Sequence, residues 1–180
     1  MKNNPKIYLI GYMGSGKTTI GRVLAKKLDC QFIDIDHFIE NRQRKTINEI
    51  FLDKGEDTFR EMEHSVLEEI SLFENVVIST GGGTPCFHDN MTLMNETGFT
   101  IYLKVSINEL VERLNIAKNK RPLLRDKSNS EMYTFISENI EKRSFYYNQA
   151  QLIFDAERML TKIEVDHIVD KLILQLPTNK

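Results

Sequence analysis

Gly11-Tyr12-Met13-Gly14-Ser15-Gly16-Lys17-Thr18 follows the spacing G-x-x-x-x-G-K-[ST], the pattern of a loop that wraps its backbone N–H groups around a phosphate. Gly11, Gly14 and Gly16 permit torsions closed to other residues, so consecutive N–H groups can turn inward. A helix opening near Gly16 adds its unbonded N–H groups and the positive end of its dipole. Lys17 is placed to reach the outer phosphates of a nucleotide, and the Thr18 hydroxyl to ligate Mg²⁺. A tight glycine turn without a ligand is the bland alternative, and the strand before and helix after it weigh against that.

Further groups could act on something held there. Asp34 and Asp36 are two residues apart, which on an extended backbone turns both carboxylates to one side; alternatively, Asp36 only caps a helix beginning at His37. Arg60 lies in the first turn of an apolar-periodic helix, where the dipole disfavours a cation, unless Glu63 offsets it as a surface pair. Gly81-Gly82-Gly83 follows a strand and leaves N–H groups open to close approach, although many triple glycines are flexible turns. Ile136, Ile140, Arg143 and Tyr147 form one helical stripe in which Arg143 takes an apolar position. An inward arginine is costly unless paired, so it either snorkels to the surface or meets a buried anion. The run 118–127 is basic, contains Pro122 and lacks a period; it suits a lid whose cations meet phosphates on closure, or a solvated basic loop. Cys86 and His88 have no partners at zinc spacing, and His37, His64 and His167 read as surface or packing residues.

The elements that must position these groups alternate strand and helix. Ile7-Tyr8-Leu9-Ile10 is the short apolar run of a buried parallel strand, and Ile20, Val23, Leu24 and Leu28 recur at helical spacing after the glycine loop. Further strands are predicted over 31–36, 76–80, 99–103 and 152–155. Between them fall helices with capping boxes at Thr46/Glu49, Ser106/Glu109 and Thr161/Glu164. Gly55 stops one helix, and the next buries Phe59, Met62, Val66, Leu67, Ile70 and Phe73. This order predicts an α/β three-layer sandwich, a five-stranded parallel sheet flanked by helices and joined by right-handed crossovers. Ligands of such sheets sit beyond the carboxyl ends of the strands.

The 180 residues suit one domain spanning 1–180, and 41% apolar with 28% charged residues is ordinary for a globular chain. A net charge of -2 gives no global attraction to nucleic acid or an anionic membrane. No apolar run nears the roughly 18 residues of a membrane span, and no signal peptide is expected at the start. Cys30 and Cys86 are too few for a disulfide framework and fit a reducing cytosol, so a cytoplasmic location is expected.

Together these segments resemble the shikimate kinase family. The matching stretches are 11–19, Phe32-Ile33-Asp34-Ile35-Asp36 with Ile39-Glu40, Ile47-Asn48-Glu49-Ile50-Phe51, Gly55-Glu56, Phe59-Arg60 with Glu63, Gly81-Gly82-Gly83, Arg121-Pro122-Leu123-Leu124, and Arg143 with Tyr147. The resemblance implies a P-loop kinase fold of the nucleoside-monophosphate-kinase type, with substrate-binding helices over about 37–62 and a closing lid over about 115–129. It implies Mg²⁺-dependent transfer of the ATP γ-phosphoryl group to the 3-hydroxyl of shikimate, giving shikimate 3-phosphate and ADP on the route to chorismate and aromatic amino acids. The expected form is a monomer that needs neither nucleic acid nor membrane. Carried onto this sequence, Gly14, Ser15, Gly16, Lys17, Thr18 and Thr19 hold ATP phosphates, Thr18 ligates Mg²⁺, and Asp34 supports the metal through water. Asp36 binds the acceptor hydroxyl and is the candidate base. Arg60 and Arg143 grip the shikimate carboxylate while Gly82 and Gly83 donate N–H groups, and Arg121 descends with the lid onto ATP. Asp155-Ala156 stands where relatives often have Asp-Thr, and Arg113 is the nearest match to an arginine that stacks on adenine in relatives. Another small-molecule kinase of this fold, such as a gluconate kinase, is the near alternative. A non-catalytic nucleotide-binding module is the distant one, and would bind ATP without acceptor-stimulated turnover.

Overall fold

Successive residues of β1 (Lys6–Ile10) bury on opposite faces: Ile7 and Leu9 enter one apolar cluster, Tyr8 and Ile10 the other. The same division holds in β3 (Val76–Ser79), where Val77 opposes Val76 and Ile78, and in β4 (Phe99–Lys104), where Ile101 and Leu103 oppose Tyr102. Strands apolar on both faces need cover on both. The computed structural model, which describes residues 5–116, 128–157 and 161–177, supplies it with helices. On the first side lie α1 (Lys17–Leu28), α5 (Ile107–Ile116) and α7 (Lys162–Ile173); on the second lie α2 (Ile35–Gln43), α3 (Ile47–Ser71) and α4 (Asn90–Thr97). The long α6 (Asn129–Tyr147) serves both, giving Met132 and Ile136 to one cluster and Tyr147 to the other.

With β2 (Gln31–Asp34) and β5 (Leu152–Asp155) at the edges, the five strands pair in parallel in the order β2-β3-β1-β4-β5. This is the predicted three-layer sandwich. Because β1 is central, the chain steps from it towards one edge and later returns to build the other. The loop after β1 therefore opens at the switch point of the sheet, where a crevice forms.

Several local expectations shift. Strand β2 ends at Asp34, not Asp36, and α2 begins at Ile35, not His37. Asp34 caps α2, its side chain accepting from the His37 N–H, a role worth about 1 kcal/mol. The two carboxylates thus do not share one face of an extended strand: Asp34 ends the strand and Asp36 sits in the first turn of the helix. Gly55 does interrupt its helix, with φ 79 and ψ 173, but the helix resumes at once, so α3 continues to Ser71 and Arg60 lies in the second turn after the break. The boxes at Thr46/Glu49 and Thr161/Glu164 form as predicted, and Ser128/Glu131 adds another at the start of α6. The Ser106 box is only half made, because the Ser106 N–H donates to Glu157 at 2.6 Å instead of to Glu109. Helix α4 was not foreseen; its Met91 and Met94 are buried, but its first turn has no side-chain cap to announce it. No helix among the described residues is long and apolar enough to cross a membrane.

Candidate active site

The glycine loop takes its shape from left-handed torsions at Gly14 (φ 83) and Gly16 (φ 92), the latter serving as N-cap of α1; a side chain at either would be strained. Lys17 folds back over the loop and donates to the Gly11 and Tyr12 carbonyls at 2.8 and 3.0 Å. Ser15 is buried, its hydroxyl without a hydrogen-bond partner among the described residues. A cavity of about 330 Å³ opens above, lined by Met13, Gly14, Gly16, Lys17, Thr18, Thr19, Asp34, Asp36, Ser79, Thr80, Gly82 and Arg113. On its wall the Thr18 hydroxyl donates to Asp34 Oδ2 at 2.7 Å. A hydroxyl and a carboxylate side by side at a phosphate loop are hard oxygen donors, the set that fits Mg²⁺.

The second half of the site is built around Gly81-Gly82-Gly83, and close packing explains why no side chains stand there. A methyl group on Gly81 would fall 2.7 Å from Glu63 Oε1 and 3.0 Å from Asp36 Oδ1. One on Gly83 would fall 2.8 Å from Arg60 Nη2. Arg143 reaches the same segment from α6, donating to the Gly82 carbonyl at 3.1 Å and lying over the Tyr12 ring. The predicted stripe of Ile136, Ile140, Arg143 and Tyr147 therefore does carry an arginine inward. Arg60 is held by a bond from Nη1 to Glu63 at 2.8 Å and by Glu56. Its guanidinium plane rests on Phe87, 4.0 Å from the ring centroid. Glu63 is no surface partner: it is 0% exposed and also accepts from Thr84.

These placements set the electrostatics. Burial, reinforced by the neighbouring Glu63 and Asp34 carboxylates and opposed by Lys17, raises the pKa of Asp36 to about 6. A carboxyl raised in the folded state adds stability that is fully present below its ordinary value of 3.8 and is lost as pH rises through about 6. That displacement corresponds to about 3 kcal/mol. Asp36→Asn should therefore raise the melting temperature of the ligand-free protein above pH 6 and leave it nearly unchanged at pH 4. A melting series across that range checks this; an equal effect at both ends would contradict it.

The geometry thus joins a phosphate loop to a triple glycine at which the Asp36 and Glu63 carboxylates meet the Arg60 and Arg143 guanidinium groups. The sequence profile of the family described as Shikimate kinase matches residues 13–176. A shikimate kinase of Parabacteroides distasonis is 49% identical over 168 residues, covering 93% of this chain and 97% of its own. The chain belongs to the shikimate kinase family. Its fold superposes on the 1.7 Å crystal structure of shikimate kinase from Bacteroides thetaiotaomicron with a TM-score of 0.91 at 48% identity, covering 96% of this chain and 99% of that one. Shikimate kinase from Acinetobacter baumannii, solved in complex with shikimate, gives 0.85 at 34% identity, covering 97% and 93%. The chain is accordingly an enzyme, an ATP-dependent kinase.

As a shikimate kinase family member it brings together all but one of the residues singled out by sequence. Thr18, Thr19, Asp34, Asp36 and Gly82 share the cavity with the loop, while Arg60, Gly83 and Arg143 gather at the triple glycine. Arg121 and most of the stretch read as a lid lie outside the described residues. The relation of Arg113 to the fifth strand is now explicit: its guanidinium bonds the Gly14 carbonyl at 3.3 Å and the Ala156 carbonyl at 2.9 Å. It therefore ties the phosphate loop to the segment that follows the fifth strand. Sequence reasoning overlooked Phe87, for which no pattern gave a signal. It undervalued Glu63, whose place beside Met62 and four residues after Phe59 already set it near the apolar face of α3.

Proposed function

We propose that this family member transfers the γ-phosphoryl group of ATP to the 3-hydroxyl of shikimate, yielding shikimate 3-phosphate and ADP in the cytoplasmic route to aromatic amino acids. One observation carries the reading: along the Gly81-Gly82-Gly83 segment Asp36 packs at Gly81, Arg143 bonds Gly82 and Arg60 packs at Gly83, with the phosphate loop alongside. A ring bearing a carboxylate on one side and a hydroxyl on the other matches that spread of charge. The acceptor-binding region is assigned to residues 37–62 together with the triple glycine, Arg60 and Arg143.

Phosphoryl transfer passes through a loose transition state, so alignment and charge stabilisation dominate. Asp36, at the mouth of the loop, orients the attacking hydroxyl and takes its proton. Its raised pKa, about 6, leaves it mostly ionised at neutral pH yet a better proton acceptor than an exposed aspartate. Lys17 leaves the Gly11 and Tyr12 carbonyls for the outer phosphates, and Arg121 is assigned to the nucleotide from the lid. Thr18 and, through water, Asp34 would hold Mg²⁺, which when bound neutralises charge on the phosphate oxygens.

Arg143 supplies a selective test. Charge-assisted bonds contribute about 1.5–3 kcal/mol, so Arg143→Ala should raise the shikimate KM roughly ten- to a hundredfold and leave the ATP KM nearly normal. Arg143→Lys should recover only part, since an ammonium lacks the planar fork. Steady-state kinetics with each substrate varied in turn will check this; equal loss for ATP and shikimate would remove Arg143 from the carboxylate. The function itself is tested by coupled ADP release over a panel of acceptors that includes shikimate and gluconate. Stimulation by shikimate alone is expected; stimulation by gluconate, or by no acceptor, would overturn the reading.

A further inference from the structure

Tyr147 ends the stripe that carries Arg143. It is fully buried, and its hydroxyl donates to the Gly82 carbonyl at 2.5 Å. Arg143 Nη1 donates to the same oxygen at 3.1 Å. The Tyr102 ring, 5.0 Å away between centroids, packs against the phenol. Burial pushes the phenol well above its ordinary pKa, so it remains a donor at working pH.

A carbonyl oxygen has two acceptor positions, and among the described residues these two donors use them. That arrangement lasts only while Arg143 stays on the loop. When Arg143 turns its Nη1 from Gly82 to an acceptor carboxylate, Tyr147 is the donor left on that oxygen. The Gly82–Gly83 peptide is not cis, and a planar trans peptide points its carbonyl and its N–H in opposite directions. Whatever holds the Gly82 oxygen therefore also aims the Gly83 N–H, in a segment that already packs against Arg60.

We propose that Tyr147 is a positioning residue of the acceptor site, its hydroxyl keeping the Gly82 carbonyl bonded and the Gly83 N–H aimed once Arg143 has moved to the acceptor's carboxylate. This rests on the assignment of Arg143 and the triple glycine to a carboxylate-bearing acceptor. It makes the two states of the enzyme respond unequally to one hydroxyl. In the ligand-free protein Tyr147→Phe removes one of two donors and Arg143 remains. In the acceptor complex it removes the last one and leaves the half-buried Gly82 carbonyl without a side-chain donor, the costlier loss.

The test is a KM split read on two acceptors. Tyr147→Phe should raise the shikimate KM about tenfold, the effect of one neutral hydrogen bond, and change the ATP KM by less than about twofold. With an acceptor whose carboxylate is replaced by a neutral amide, Arg143 has no reason to leave Gly82, and the penalty should fall below about twofold. An unmoved shikimate KM, or the same penalty on both acceptors, would overturn the positioning role. A tyrosine that serves only packing would lower shikimate and ATP use together. Should Tyr147→Phe fail to fold, the Gly83 amide resonance of the wild type gives the answer: shikimate should shift it, and an unmoved amide would overturn the inference. A wild type not stimulated by shikimate would instead overturn the proposed function, and this inference with it. A stimulated wild type with an indifferent Tyr147→Phe removes the inference alone.

Discussion

Lys17→Ala should lower turnover on the order of a thousandfold, the scale for removing a donor aimed at developing transition-state charge. The expectation follows from where the lysine sits. It opens α1 beneath the cavity and, without nucleotide, spends its ammonium on the Gly11 and Tyr12 carbonyls. Those carbonyls belong to the loop and Lys17 itself enters neither apolar cluster, so losing the ammonium should cost little folding stability. The measurement is kcat by coupled ADP release beside a melting curve. A collapse of kcat with a melting temperature within a few degrees of wild type is expected. Activity near wild type would take the phosphate loop out of the mechanism.

Asp36→Asn should reduce kcat on the order of a hundredfold or more, the usual contribution of a positioned base. The substitution keeps size and some hydrogen bonding but cannot accept the hydroxyl proton. It also has a pH signature. The wild-type carboxyl is protonated below about 6, so kcat/KM should rise with pH through that value, and the Asn variant should lose this limb. The same substitution is expected to stabilise the ligand-free protein above pH 6, because it removes a charge that burial, and after it Glu63 and Asp34, disfavours. Lower activity with higher stability is hard to obtain from a residue that merely fills the first turn of α2. An unchanged kcat across pH would show that it does only that.

The sequence made much of this legible because its strongest signals were backbone signals. Glycines at 14 and 16 announce torsions that other residues avoid, and the unbroken apolar run of Ile7, Tyr8, Leu9 and Ile10, all buried, announces a strand covered on both sides. Arg143 was legible as a violation: a cation on an apolar stripe, found with its head on the triple-glycine loop. What escaped was set by tertiary approach. The boundary between Asp34 and Asp36 turns on which carboxylate caps α2, and both residue types are good caps in isolation. Glu63 looked like an exposed neighbour of Arg60 because helical spacing gives a direction and not the depth of the wall it meets. Phe87 touches Arg60 across 27 positions of sequence, beyond any local period. Ser106 found Glu157 at the far edge of the sheet instead of its neighbour Glu109, again a contact that no window along the chain contains.

The central claim is a transfer between two defined oxygens, and phosphorus NMR of the reaction mixture reads it directly. With ATP, Mg²⁺ and shikimate, the account predicts that the γ-phosphate signal is replaced, one for one with ADP, by a phosphomonoester coupled to the proton on carbon 3 of shikimate. Inorganic phosphate in its place, or a phosphomonoester on another hydroxyl, would contradict it.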